Sequence, residues 1–298
     1  VYAIKHDGRH KARLVADGHL TEVPLESVYS GVVSLGSLQI AIFLAELNGQ
    51  QIFAADVGSA YLEARTQEKV YIIADESFGE LQGHTLIIVK ALYGLKSSGK
   101  RYWEIFAETL TDMGFVQSEA DSEVWMRRAD DLWEYICIYV DDLAIVSMDP
   151  QSICDDIVNK YKYKLKGVGP IKYHLGCDFG REEDGTLYFG PRKYVEKMME
   201  AYKLMFGEET NKKYHSPLEK GDHPELDDSP ELDDENRTKY MSLTGQCPWL
   251  IALGRFDVAT AVMTMSRFRT APREGHMQRV KRIYSYVRNM PHGAIRVC

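Results

Sequence analysis

Apolar positions along the chain alternate between a helical and a strand-like spacing. Over 36–48, Leu38, Ala41, Ile42 and Ala45 recur as one stripe of a helix. Ile52-Phe53-Ala54-Ala55 is a short apolar run, and Asp56-Val57-Gly58-Ser59-Ala60-Tyr61 breaks it with a carboxylate and a glycine. Tyr102, Trp103, Phe106, Leu110 and Met113 fall at helical spacing, on a face read as core. Tyr135-Ile136-Cys137-Ile138 and Leu143-Ala144-Ile145-Val146 flank the polar centre Tyr139-Val140-Asp141-Asp142. Two short apolar runs around a tight polar centre predict a β-hairpin, and runs this apolar belong in the middle of a sheet. Aspartate tolerates the positive φ of tight hairpin turns, so an aspartate pair can sit at the tip. Helical patterns follow over 151–165, 192–205, 238–253, 256–268 and 274–289, and Gly185-Thr186-Leu187-Tyr188-Phe189 predicts a strand after a glycine turn. No internal repeat is visible.

Composition adds little until charge is mapped. At 298 residues, with 45% apolar and 27% charged residues, the chain reads as a soluble globular protein of one to three domains. No run approaches the roughly 18 apolar residues of a membrane span. The first residue is Val1, no signal peptide is visible, and Ala294-Ile295-Arg296-Val297-Cys298 resembles a strand cut short, so a piece of a longer polyprotein is expected. Cys137, Cys154, Cys177, Cys247 and Cys298 are widely spaced and odd in number, which favours reduced intracellular thiols over a zinc site or disulfide frame. Net charge is −8, which by itself disfavours a polyanionic partner. Residues 219–236 resolve this, because their nine acids and single base, Lys220, account for the whole imbalance. That stretch, with Pro224 and Pro230, reads as a mobile solvated loop, with a nucleic-acid mimic as the less favoured alternative. The last helix places Met277, Val280, Ile283, Tyr284 and Val287 on one face, with Arg279, Lys281, Arg282 and Arg288 mostly off it. Those bases are either a phosphate contact or a solvated face.

The candidate chemistry lies at the hairpin. Asp141 and Asp142 on a buried scaffold repel each other and lose hydration, which is costly unless a cation neutralises them. Hard oxygen ligands of this kind suit Mg²⁺, which takes one or two carboxylates and completes its shell with water and substrate phosphate. An Asp-Asp pair alone is as readily an ordinary turn. Asp56, ending an earlier strand, changes the balance. One carboxylate there and two on a later hairpin match a two-metal site, in which ions about 3.5–4 Å apart stabilise attacking and leaving oxygens of a phosphoryl displacement.

At these residues the chain resembles the reverse transcriptase of copia-type long-terminal-repeat retrotransposons. The motifs stand in that family's order: Lys11-Ala12-Arg13-Leu14-Val15-Ala16, Asp56-Val57-Gly58-Ser59-Ala60-Tyr61-Leu62, Leu92-Tyr93-Gly94-Leu95-Lys96, the Tyr-Val-Asp-Asp box, Leu175-Gly176 and Ser266-Arg267-Phe268. Each is weak alone; six in order, covering nearly the whole chain, are specific. The resemblance implies an α+β right-hand polymerase, with fingers over 1–31 and 64–98 and palm over 32–63 and 99–183. Thumb and the start of a connection would cover 184–298. It implies RNA-directed DNA synthesis from a primer 3′-hydroxyl with two Mg²⁺ ions, Mn²⁺ being a possible substitute. Asp56 and Asp141 would bridge the metals, Asp142 would adjoin them, and Val57 would lend its backbone carbonyl. Lys11 and Arg13, among the early bases Lys5, Arg9, Lys11 and Arg13, would contact the incoming triphosphate; a solvated basic strand is the plain alternative. Gly58 and Ala60 would let the backbone approach it, Tyr61 would exclude a 2′-hydroxyl, and Tyr93 and Gly94 would contact template and nucleotide. Leu175 and Gly176 would form the primer grip. Implied partners are an RNA or DNA template with primer, deoxynucleoside triphosphates, and flanking ribonuclease H and integrase parts of a polyprotein, with no membrane. The implied location is intracellular, in a cytoplasmic virus-like particle or the nucleus. The chain departs from the family at Ser97, where glutamine is common, and at Gly99, where proline is common. These departures keep open a catalytically inactive remnant that only binds nucleic acid. A different palm-fold enzyme, such as a nucleotide cyclase, is disfavoured by the thumb-like helices and the grip motif.

Overall fold

The computed structural model describes residues 2–4, 8–21, 24, 28–210, 212–291 and 293–297, with backbone alone for Ala3 and Leu20. Lys5 and Cys298 lie outside the described residues. The chain divides into two compact units, Val1–Ile171 and Lys172–Cys298.

In the first unit, β1 (Tyr2–Ile4) pairs antiparallel with β2 (His10–Ala12). Helix α1 (Leu35–Leu47) starts at Ser34, whose side chain accepts from the Ser37 N–H, and it buries Leu38, Ala41, Ile42 and Ala45, the predicted stripe. Next come β3 (Gln51–Val57), a hairpin of β4 (Tyr71–Ile73) with β5 (Thr85–Ile87), and α2 (Ser98–Asp112). The chain then runs through β6 (Val116–Gln117), β7 (Val124–Ala129), β8 (Leu132–Tyr139), β9 (Asp142–Ser147), α3 (Pro150–Asn159) and β10 (Leu165–Pro170). Six strands form one antiparallel sheet in the order β10-β3-β9-β8-β7-β6. The predicted hairpin is β8–β9, and its apolar runs are buried because β9 has strands on both sides. Phe53, Ile145, Ile136 and Trp125 stand opposite one another across four strands, and α2 and α3 pack on that face through Phe106, Leu110, Ile153 and Ile157. Small Ala54 and Ala144 mark the other face, where α1 lies against β3, β8 and β9.

One prediction here is corrected. The helical pattern over 151–165 stops at Asn159; Lys162 takes a left-handed φ of 65°, and the chain re-enters the sheet as β10. β10 carries Gly167, Gly169 and Pro170 and shifts register between Lys166 and Gly169, so it shows no alternation; the open edge of β3 imposes its extended shape.

The second unit contains β11 (Tyr173–His174), β12 (Cys177–Arg181), β13 (Leu187–Gly190), α4 (Arg192–Phe206), α5 (Asp234–Ala252), α6 (Ala259–Ser266), α7 (Glu274–Asn289) and β14 (Ile295–Val297). Its sheet runs β11-β12-β13-β14, and Tyr240, Leu243, Leu250, Met265, Val280, Ile283 and Tyr284 form the helical core. The acidic stretch is largely exposed but pinned to the helices rather than loose, and from Asp234 it is already α5. Pro224 and Leu232 are buried, the His276 ring meets the Pro224 carbonyl at 2.9 Å, and Gly275 N–H donates to Ser229 Oγ at 2.9 Å. Arg279 on α7 donates to both Asp222 oxygens at 2.8 and 2.7 Å and pairs with Asp227, while Arg282 pairs with Glu219. Three acids of the strap thus pair with two arginines of the helix face, one of these matches spanning 57 residues that neither pattern reveals alone. Cys137, Cys154, Cys177 and Cys247 are buried free thiols.

Candidate active site

The site is built where β3 meets the β8–β9 turn. Tyr139 pairs with Asp142, leaving Val140-Asp141 as a two-residue turn. Val140, not an aspartate, takes the left-handed conformation, with φ 58°. A β-branched side chain is strained there, and such strain persists only where its surroundings over-determine it. The Val57 N–H supplies one such restraint, donating to the Asp141 carbonyl at 2.7 Å. In register, Asp56 faces Asp142 across β3 and β9. The three carboxylates therefore come from one strand end and one adjoining turn.

Their electrostatics are unfavourable as they stand. Burial, then the charge of Asp56, raises Asp141 above the ordinary carboxylate range, while Arg13 and Lys11 pull it back. Burial, then the charges of Asp141 and Asp56, pushes Asp142 up to about 6. Two half-buried, mutually repelling carboxylates call for positive charge.

Asp56 and Asp141 line a cavity of about 320 Å³ together with Lys11, Arg13, Ser59, Tyr93 and Lys166. Arg13 stacks over the Tyr93 ring at 4.8 Å, and Tyr61 lies 5.1 Å from the same ring. Tyr93 is held by its carbonyl, which accepts from Ala16 N–H at 2.7 Å. Gly94 makes this approach possible: its φ is 93°, and a Cβ there would lie 2.0 Å from the Ala16 carbonyl oxygen. Val57 is fully buried, and Gly58 and Ala60 are buried beside the cavity rather than lining it.

Lys166 was missed by sequence reasoning. It pairs with Asp56 across β10 and β3, and its Nζ would lie 3.0 Å from a Cβ at Gly58. The available signal was the alternation of Lys162, Lys164 and Lys166, a period-two pattern in charge rather than hydrophobicity. Ser97 is buried and its hydroxyl donates to Glu68. Leu175 and Gly176 belong to the second unit, as the turn between β11 and β12. Both take positive φ, 47° and 91°, as a type I′ hairpin turn requires, and a Cβ on Gly176 would lie 3.2 Å from Leu253 and Trp249 atoms.

Among the described residues, no group of three or more His, Cys, Asp or Glu side chains is placed to hold a metal ion. The cavity offers an all-oxygen pair, Asp56 and Asp141. That pair fits a hard divalent cation, which commonly takes one or two carboxylates and draws its remaining ligands from water and phosphate.

Residues 1–217 match the family model described as reverse transcriptase (RNA-dependent DNA polymerase). The chain is 27% identical over 292 residues to the retrovirus-related Pol polyprotein from transposon RE1 of Arabidopsis thaliana, covering 96% of this chain and 19% of that protein. It is 27% identical over 303 residues to the corresponding polyprotein from transposon TNT 1-94 of Nicotiana tabacum, covering 97% and 23%. The transposon RE2 polyprotein of Arabidopsis thaliana is 25% identical, with 96% and 19% covered. The chain thus spans about a fifth of the length of these relatives. No solved structure matches. Among the described residues, no helix is long and apolar enough to cross a membrane.

Proposed function

The chain belongs to the reverse transcriptase (RNA-dependent DNA polymerase) family, and on that premise we propose that it adds deoxynucleotides to a primer 3′-hydroxyl, copying RNA as the polymerase segment of a copia-type Pol polyprotein. The observation that carries this is one cavity whose lining brings Asp56 and Asp141 together with Lys11, Arg13 and Lys166. Carboxylates suit divalent metals and the bases suit a triphosphate, so both halves of the substrate complex have a counterpart. Asp56 and Asp141 would hold the metals, two Mg²⁺ ions in this proposal, with Asp142 adjoining and the Val57 carbonyl as a further ligand. Metal bound there would supply Lewis-acid stabilisation to the attacking 3′-oxygen and the departing pyrophosphate.

The chain's own groups do the rest. Arg13 can grip phosphate oxygens through its planar fork while its stacking on Tyr93 limits its freedom. Lys11 and Lys166 add charge where pyrophosphate charge develops. Tyr61, beside Tyr93, would exclude a ribose 2′-hydroxyl; Gly58, Ala60 and Gly94 keep the backbone close to the nucleotide. The Leu175-Gly176 turn would grip the primer. In this reading the fingers are 1–31 and 64–98, the palm 32–63 and 99–183, and the thumb 184–298. Template and primer strands, deoxynucleoside triphosphates and neighbouring ribonuclease H and integrase segments are the partners, in an intracellular setting.

The test is primer extension on an RNA template with Mg²⁺ or Mn²⁺, comparing the parent chain with Asp141→Asn. Asp141→Asn should keep the fold and lose extension by at least about a hundredfold, because a metal-binding charge is gone. Near-parental activity in the folded variant would sink the two-metal assignment. A second reading, a remnant that only binds nucleic acid, is favoured by one observation: Ser97, where the family commonly has glutamine, is buried with its hydroxyl committed to Glu68. A folded parent chain that binds hybrid duplex but extends nothing supports that reading.

A further inference from the structure

Behind the cavity a row of rings runs into the core. Ring centres are 5.1 Å apart for Tyr93 and Tyr61, 6.2 Å for Tyr61 and Tyr102, 5.7 Å for Tyr102 and Phe106, and 5.3 Å for Phe106 and Tyr163. The deep end is fixed. Tyr102 stacks on fully buried Phe106 with 19° between their planes, Tyr163 meets Phe106 edge-on, and Tyr163 shares a 3.1 Å hydrogen bond with Thr109. At the shallow end Tyr93 and Tyr61 are half-buried, and Tyr93 lines the cavity with Tyr61 packed behind it. The placement of Tyr61 therefore depends on what lies beneath it, since packed rings transmit position without give.

Gly99 and Tyr102, three residues apart on one face of α2, form that seat. A Cβ on Gly99 would lie 4.0 Å from the Tyr61 hydroxyl, an ordinary contact distance, which places that oxygen beside the first turn of α2. Tyr102 is 2% exposed, and its hydroxyl has no hydrogen-bond partner among the described residues. Burial, then the charges of Tyr163, Asp141, Asp56 and Glu63, keeps that hydroxyl neutral. With nothing bonded to the oxygen, the ring is what this residue contributes.

We propose that Tyr102 is a positioning residue for sugar selection: its ring, anchored on Phe106, holds the Tyr61 ring where it meets the 2′ position of the incoming nucleotide. This rests on the reading of Tyr61 as the ring that excludes a 2′-hydroxyl. What Tyr102 sets is the height of a neighbouring ring. Discrimination built on a steric clash is lost when the clashing group can retreat.

The experiment measures the ratio of kcat/KM for a deoxynucleotide to that for the matching ribonucleotide, in primer extension by folded protein. Tyr102→Met keeps most of the volume and loses the ring; Tyr102→Leu is the second variant should the first fold poorly. Either should lower the ratio at least about fivefold, within the range over which one steric contact discriminates substrates. Tyr102→Phe should hold the ratio within about twofold, because the ring remains. Combined with Tyr61→Ala, Tyr102→Met should lower the ratio no further than Tyr61→Ala alone, as expected for residues acting through one contact. A parental ratio in Tyr102→Met, with a lowered ratio in Tyr61→Ala, overturns the proposal and leaves the Tyr61 reading standing. A parental ratio in Tyr61→Ala overturns the Tyr61 reading and the proposal with it. General damage to the fold slows both sugars alike and leaves the ratio where it was, which also counts against the proposal.

Discussion

At the scale of single residues, the site depends on charges whose positions come from strand register. Lys166 shows this best. It stands opposite Asp56 in the β10–β3 pair and lines the same cavity, although 110 positions separate them in the chain. Its ammonium is free to rotate its three donors and suits a phosphate group without fixed geometry. Lys166→Ala should raise KM for the deoxynucleotide about tenfold, the scale of one charge-assisted contact, with the fold intact. Steady-state kinetics with Lys166→Arg as the charge-preserving control checks this. Equal KM values for parent and alanine variant would remove Lys166 from the triphosphate site. Asp56, Asp141 and Asp142 were all legible beforehand, because carboxylates at a strand end and a hairpin tip leave a local signature. The left-handed Val140 was not, since valine disfavours that conformation and only the turn's tertiary setting enforces it.

At the scale of elements, the acidic strap and α7 form one unit. Asp222 is held below the ordinary carboxylate range chiefly by hydrogen bonds from Arg279. Asp227 is pushed up by burial, yet Ser229 and Arg279 outweigh that and leave it low as well. A carboxylate depressed in the folded state stabilises it above the unfolded value of about 3.9, and the contribution is lost as pH falls through the folded value. Arg279→Ala should therefore cost about 2 kcal/mol at pH 7, discounted for partial exposure of the pair. That cost should shrink steadily below about pH 4, as the two aspartates protonate. Denaturant titrations of parent and variant from pH 7 to pH 3 measure it. A cost independent of pH would mean that Arg279 acts by packing alone. The periodic helices α1, α4 and α7 were readable because each buries one stripe. The strap's pinning was missed because its partners lie on another element, where a one-dimensional charge count cannot see them.

At the scale of the whole molecule, charge is divided unevenly. The first unit holds 16 basic and 25 acidic residues, the second 20 and 19. Outside 219–236, the second unit carries 19 basic residues against 10 acidic ones. The strap thus offsets a surface otherwise suited to polyanions. Replacing its exposed acids by Glu225→Gln and Asp228→Asn should tighten binding to an RNA–DNA hybrid about two- to fivefold at low salt, the gain fading as salt rises. Fluorescence anisotropy across a salt series reads both; unchanged low-salt affinity would show that the strap does not tune nucleic-acid binding.

The sequence by itself determined the helices with a buried stripe, the apolar hairpin and the standing of three aspartates at a strand end and a hairpin turn, because those signals are local and their periods survive in any compact fold. Tertiary structure alone decided which residues meet: the edge strand β10, the approach of Lys166 to Asp56, the ring row beneath Tyr61 and the pairing of strap with α7. Each joins segments far apart in the chain, and long-range pairing is selected by the burial and charge balance of the assembled units rather than by anything a short window of residues contains.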